Sequence, residues 1–154
     1  MPTPLSPGDR APNFSGPTGD GSVVSLSDHA GERALVLYFY PRDNTPGCTR
    51  EARAFRDTAE MIRASGAEII GVSTNSEASH QRFASNLELN FPLLADTNGA
   101  IAKAYGVLKA NGKTAERATF LIDREGIIRN VWPRVTINGH AEEVASAADQ
   151  LRRG

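Results

Sequence analysis

Cys48 is the only cysteine in 154 residues, and it closes the run Tyr38-Phe39-Tyr40-Pro41-Arg42-Asp43-Asn44-Thr45-Pro46-Gly47-Cys48. An apolar, strand-like stretch ends in a turn punctuated by proline and glycine, and the thiol falls where a helix begins. The free N–H groups and positive dipole end of a helix favour a thiolate over a thiol, which makes such a cysteine a nucleophile or a redox centre. A lone free cysteine is more often a small buried hydrophobe, so its neighbours decide the reading. The Thr45 hydroxyl, three positions before the sulfur, can donate to an oxygen while accepting elsewhere. Gly47 has no Cβ and lets the main chain come close, and its N–H and that of Cys48 are further donors. Pro41 has no N–H and presents a rigid apolar ring suited to shielding the sulfur from water. Singly, each is also an ordinary turn or strand-end residue; the combination with Cys48 carries the functional reading.

The elements that must position this run alternate along the chain. Val23 to Leu26 reads as a short strand. Ala34 to Tyr40 is a continuous apolar run, the pattern of a central strand buried on both faces. Thr49 to Ala64 reads as a helix, with Ala52, Phe55, Ala59 and Ile62 at three- and four-residue spacing. Ala67 to Ser73 is the next strand, and Ser76 and Ser79 supply helix-start chemistry for a helix ending near Asn86. Ala100 to Tyr105 is a short helix. Thr119–Asp123 and Ile127–Trp132 flank the turn Arg124-Glu125-Gly126 as a hairpin, and Ala141 to Arg152 closes the chain as a helix. Helix-linked strands followed by a hairpin and a final helix predict an α/β fold with a mixed sheet. No repeat, linker or low-complexity segment interrupts it, so residues 1–154 are read as one domain.

With 40% hydrophobic residues the chain can bury a real core. Its net charge is −1 with neither sign clustered, so no nucleic-acid footprint or membrane-binding face is expected. No apolar run reaches the roughly 18 residues of a membrane span. The start Met1-Pro2-Thr3-Pro4-Leu5-Ser6-Pro7 lacks the basic-then-apolar pattern of a secretory signal. One cysteine cannot form an internal disulfide, and a cytoplasmic location is the expectation. His29, His80 and His140 stand apart from each other with no ligand-like spacing, so neither a metal nor a cofactor is expected; His140 is placed at the start of the last helix.

Pro41, Thr45 and Cys48 reproduce the Pro-x-x-x-Thr-x-x-Cys pattern of peroxiredoxins, and the longer string from Phe39 to Glu51 resembles the Q-type, or bacterioferritin-comigratory, branch of that family. Gly71-Val72-Ser73, Asn90-Phe91-Pro92-Leu93-Leu94, Ala104-Tyr105-Gly106-Val107, Arg117 to Asp123 and Gly139 to Val144 fit the same branch in the right order. The resemblance covers about residues 5 to 150. It implies a thioredoxin-like fold and a monomeric thiol peroxidase that reduces hydrogen peroxide and organic hydroperoxides through a Cys48 sulfenic acid. It also implies that Arg117 is the cation beside the sulfur and that Glu51 helps to orient the site. Residue type alone does not separate Arg117 from the other cations, and Glu116 beside it is an equally simple partner.

One departure stands out. Many Q-type members carry a second, resolving cysteine five residues after the first, where this chain has Arg53; others carry it in the helix that here spans Ser76 to Asn86, which has none. A Cys48 sulfenic acid would then have no partner in its own chain, and an external thiol, whether thioredoxin, glutaredoxin with glutathione or another low-molecular-weight thiol, must reduce it. The alternative is a redox sensor or adaptor that passes Cys48 oxidation to a partner protein. A thioredoxin-type disulfide reductase is disfavoured by the lack of Cys-x-x-Cys.

Overall fold

The computed structural model describes residues 5–29 and 31–154; the reading of the first four residues lies outside that range. Strand β3 (Ala34–Phe39) is the centre of the molecule. Val36 and Tyr38 point into one apolar layer, Leu35, Leu37 and Phe39 into the other, and all five are at most 1% exposed. A strand wet on one face would need polar residues at alternate positions; this one is covered on both, which is why its sequence is uninterrupted.

Beside it runs β4 (Ala67–Ser73), parallel, followed outward by the short β5 (Leu93–Ala95), also parallel. On the other side β6 (Ala118–Ile122) and β7 (Ile128–Trp132) form the antiparallel hairpin, giving a five-stranded mixed sheet in the order β5-β4-β3-β6-β7. A separate two-stranded hairpin joins β1 (Ser15–Pro17) to β2 (Val23–Ser25).

Helix α1 (Pro46–Ala64) buries Ala52, Phe55, Ala59 and Ile62 against the Tyr38 layer, the stripe that its spacing predicts. It begins three residues earlier than the sequence pattern suggests, because proline is well tolerated at a first helical position, where its missing N–H is not needed. Helices α2 (Glu77–Leu87) and α4 (His140–Arg153) contribute Phe83, Leu87, Ala141 and Val144 to the same layer. The short α3 (Ala100–Ala104) covers the opposite face together with Phe14 and Tyr105. Ser76 caps α2, its hydroxyl accepting from the Ser79 N–H at 3.2 Å. None of the helices among the described residues is long and apolar enough to cross a membrane.

Candidate active site

The turn 40–45 connects the end of β3 to the start of α1, so the central strand delivers the chain directly to a helix N-terminus. Thr45 occupies the capping position and Pro46 the first helical one, which puts Cys48 in the first turn. The first bond of the helix runs from the Thr49 N–H to the Thr45 carbonyl at 2.9 Å, so the N–H groups of Gly47 and Cys48 precede the intrahelical ladder and are free to face an anion. The sulfur itself is buried, with 1% of the residue exposed.

Arg117 stands one residue before β6. Because β6 pairs antiparallel to β3 with Phe39 opposite Ala118, that position lies at the sheet end where the Cys48 turn begins. Its guanidinium spans two partners: Nη2 donates to Cys48 Sγ at 3.3 Å and Nη1 to Glu51 Oε1 at 2.7 Å. A cation this close stabilises negative charge on sulfur. The Arg117 partner is thus Glu51, on the next turn of α1, and not the adjacent Glu116. Burial alone would make the guanidinium easier to deprotonate, but the charges of Glu51 and Cys48 outweigh it and hold Arg117 more firmly protonated than usual.

Glu51 is 1% exposed, and its second oxygen, Oε2, has no hydrogen-bond partner among the described residues. Burial pushes its carboxyl up to about 7, against the opposing pull of Arg117. Burial also raises the Tyr38 hydroxyl well above its ordinary range, with the charges of Glu51 and Cys48 adding to the effect, so Tyr38 is a neutral wall of the site. Gly47 leaves room for the guanidinium. A Cβ there would lie 3.2 Å from Arg117 Nη2 and 3.3 Å from Ile137 Cδ1, crowding the guanidinium where it meets the sulfur.

The geometry therefore joins Cys48, Gly47, Glu51 and Arg117. Thr45 and Pro41 lie on the adjoining turn, both half-buried, and the Thr45 hydroxyl donates to the Arg42 carbonyl at 3.1 Å instead of capping the helix. Sequence spacing gave no site role to Tyr38, which reads as a strand residue, or to Ile137, which carries no polar group to flag it. It also set aside His80, which is buried with Nδ1 2.8 Å from Oδ2 of Asp43 in the same turn. His140 does start α4, buried, with Nε2 2.8 Å from the Thr119 hydroxyl.

Residues 7–131 match the AhpC/TSA family. The chain is 44% identical over 142 residues to peroxiredoxin Bcp of Bacillus subtilis, covering 88% of this chain and 90% of that one. Its fold matches peroxidoxin BcpB from Mycobacterium tuberculosis with a TM-score of 0.89 and 31% identity, over 96% of this chain and 98% of the other. It matches the bacterioferritin comigratory protein of Xanthomonas campestris, studied for its alkyl peroxide reduction activity, with a TM-score of 0.84 and 36% identity over 90% and 92%. A thioredoxin-fold sheet, a helix-terminal thiol under an arginine and these relatives agree: the chain belongs to the AhpC/TSA family, as a thiol peroxidase of its Bcp or peroxiredoxin Q branch.

Proposed function

We propose that Cys48 is the attacking thiol of a one-cysteine peroxidase acting on hydrogen peroxide and organic hydroperoxides. The observation that carries this reading is the Arg117 Nη2 to Cys48 Sγ hydrogen bond at 3.3 Å, made to a sulfur in the first turn of a helix. The thiolate attacks one peroxide oxygen, an S–O bond forms as the O–O bond breaks, and the departing oxygen leaves as water or an alcohol after taking up a proton. Arg117 stabilises the sulfur's charge; the free N–H groups of Gly47 and Cys48 are donors for the charge that develops on oxygen, and the Thr45 hydroxyl joins them by turning its one proton from the Arg42 carbonyl to the peroxide. Pro41 shields the sulfur, and Glu51 orients Arg117.

The product is a Cys48 sulfenic acid. With Arg53 at the position of a resolving cysteine and no thiol in α2, an external thiol condenses with it, releasing water and forming a mixed disulfide. A second thiol then frees Cys48 and leaves as a disulfide. In this reading the chain works as a monomer and a single domain, in the cytoplasm, where thiols are kept reduced. Stopped-flow oxidation by hydrogen peroxide, followed by recycling assays with thioredoxin, glutaredoxin plus glutathione, and small thiols, tests it. Multiple turnovers with at least one thiol are expected. A single stoichiometric oxidation that none of them reverses would support the sensor reading instead.

A further inference from the structure

The chemistry above does not use His80, yet its side chain is fully buried against that of Asp43, 0% and 1% exposed. His80 Nδ1 lies 2.8 Å from Asp43 Oδ2, and Nε2 lies 3.0 Å from the Leu94 carbonyl oxygen. A carbonyl can only accept, so Nε2 donates. Burial favours a neutral Asp43, but the hydrogen bond and charge of His80, with Tyr40 and Ser79, outweigh it and keep the carboxyl below its ordinary range. The Nδ1 bond to Asp43 and the Nε2 bond to the Leu94 carbonyl hold the ring at both ends.

The rest of the network is matched. Tyr40 Oη donates to Asp43 Oδ1 at 2.7 Å, Ser79 Oγ to Oδ2 at 2.7 Å, and the Asp43 N–H to Asn75 Oδ1 at 3.0 Å. A buried, hydrogen-bonded polar pair contributes little net stability relative to apolar groups of the same shape, so what this one supplies is position. Its position matters because Asp43 is two residues before Thr45. Asn44 between them has φ 65, the left-handed region that a non-glycine residue enters at a cost. Such a conformation persists where its surroundings over-determine it, and the four hydrogen bonds to Asp43 do so.

We propose that the buried Asp43–His80 pair is a positioning device for peroxide reduction. It clamps the turn 41–45 to α2 and β5, so that the Thr45 hydroxyl is held in place at the start of the helix bearing Cys48. The proposal rests on the reading of Thr45 as a donor to the peroxide. His80 and Asp43 are positioning residues that act through Thr45.

The test is stopped-flow oxidation of Cys48 by hydrogen peroxide in four full-length chains: the natural one, Asp43→Asn/His80→Gln, Thr45→Val, and all three changes together. The paired replacement leaves no unpaired buried charge. It should slow oxidation about tenfold or more in the natural background but less than about twofold when Thr45 is already valine, because groups acting through Thr45 then have nothing to act on. A merely structural role predicts the same slowing in both backgrounds, and that result, or no slowing in a folded variant, overturns the clamp. Should circular dichroism show that the paired variant does not fold, Ser79→Ala carries the same comparison with the Asp43–His80 hydrogen bond intact. It should slow oxidation about threefold with Thr45 present and not at all with valine there, and equal effects overturn the proposal. If Thr45→Val alone leaves the rate unchanged, the donor role of Thr45 fails and the clamp falls with it. Failure of the clamp alone leaves the Thr45→Val effect in place.

Discussion

Arg117 and Glu51 are 66 positions apart in the chain and joined by a hydrogen bond of 2.7 Å, with the other arm of the same guanidinium on Cys48 Sγ. A guanidinium is a planar, rigid fork, so fixing one arm on a buried carboxyl aims the other at the sulfur. Arg117→Met should therefore slow peroxide attack about a hundredfold or more, the cost of one lost charge-stabilising donor in a water-poor site. Arg117→Lys restores charge without the fork and should remain slower than the natural chain by about tenfold. Stopped-flow kinetics compares the three, and a lysine variant as fast as arginine would show that aim does not matter.

Glu51 should leave a signature in the pH dependence of stability. Its carboxyl titrates near 4.5 when unfolded and at about 7 when folded, raised by burial. Between those values the folded chain holds a proton that the unfolded chain has shed. Its contribution is thus fully present below 4.5 and lost as pH rises through 7. Urea titrations at several pH values in this window should show the natural chain losing stability with rising pH relative to Glu51→Gln; a constant difference between the two refutes it.

His140 should act with the opposite sign. Burial pulls its ring from 6.5 down to about 4, with Glu143 and Glu142 pulling weakly the other way. As pH falls from 6.5 towards 4 the unfolded chain gains a proton that the folded one does not, so stability drops. Thermal melts of His140→Gln should show a shallower acid loss than the natural chain, and parallel curves would exclude His140 as the cause.

Cys48→Ser should abolish peroxidase turnover and leave the circular dichroism spectrum unchanged. The hydroxyl is nearly the same size as the thiol but far too weak a nucleophile in this setting. Substantial residual turnover would mean that another group reacts.

Arg53 is exposed on α1, five residues after Cys48. Five residues advance about 500° around a helix, leaving the two side chains about 140° apart, so a disulfide between these positions would require the first turns to unwind. In the natural chain nothing rewards that unwinding; α1 should stay folded in the sulfenic state, and excess peroxide should drive Cys48 on to sulfinic acid. Arg53→Cys should form an internal disulfide and resist this. Mass spectrometry after graded peroxide treatment should separate the two chains; equal resistance without any reductant contradicts a one-cysteine cycle.

The elements with many residues of one periodicity were legible before folding. The unbroken apolar run of β3 and the three-and-four spacing of α1 each report a local environment, and local patterning survives whatever the rest of the chain does. Strands β1 and β5 were not legible: Ser15-Gly16-Pro17 is made of turn residues and Leu93-Leu94-Ala95 has no β-branched side chain, whereas the equally short β2 was marked by Val23 and Val24. The same division runs through the site. Pro41, Thr45, Gly47 and Cys48 occupy one turn and one helix start, so their nearness follows from the chain itself. Arg117 reaches Cys48 only because β6 pairs with β3 in the register that sets Ala118 against Phe39, and a one-residue slip would reverse which face every side chain meets. His80 reaches Asp43 only after β4 pairs parallel to β3 and α2 packs back on the sheet. A lone histidine carries no spacing signal for a carboxylate 37 positions away; strand register and burial created that partnership, since most buried polar groups are kept only where they find hydrogen-bond partners.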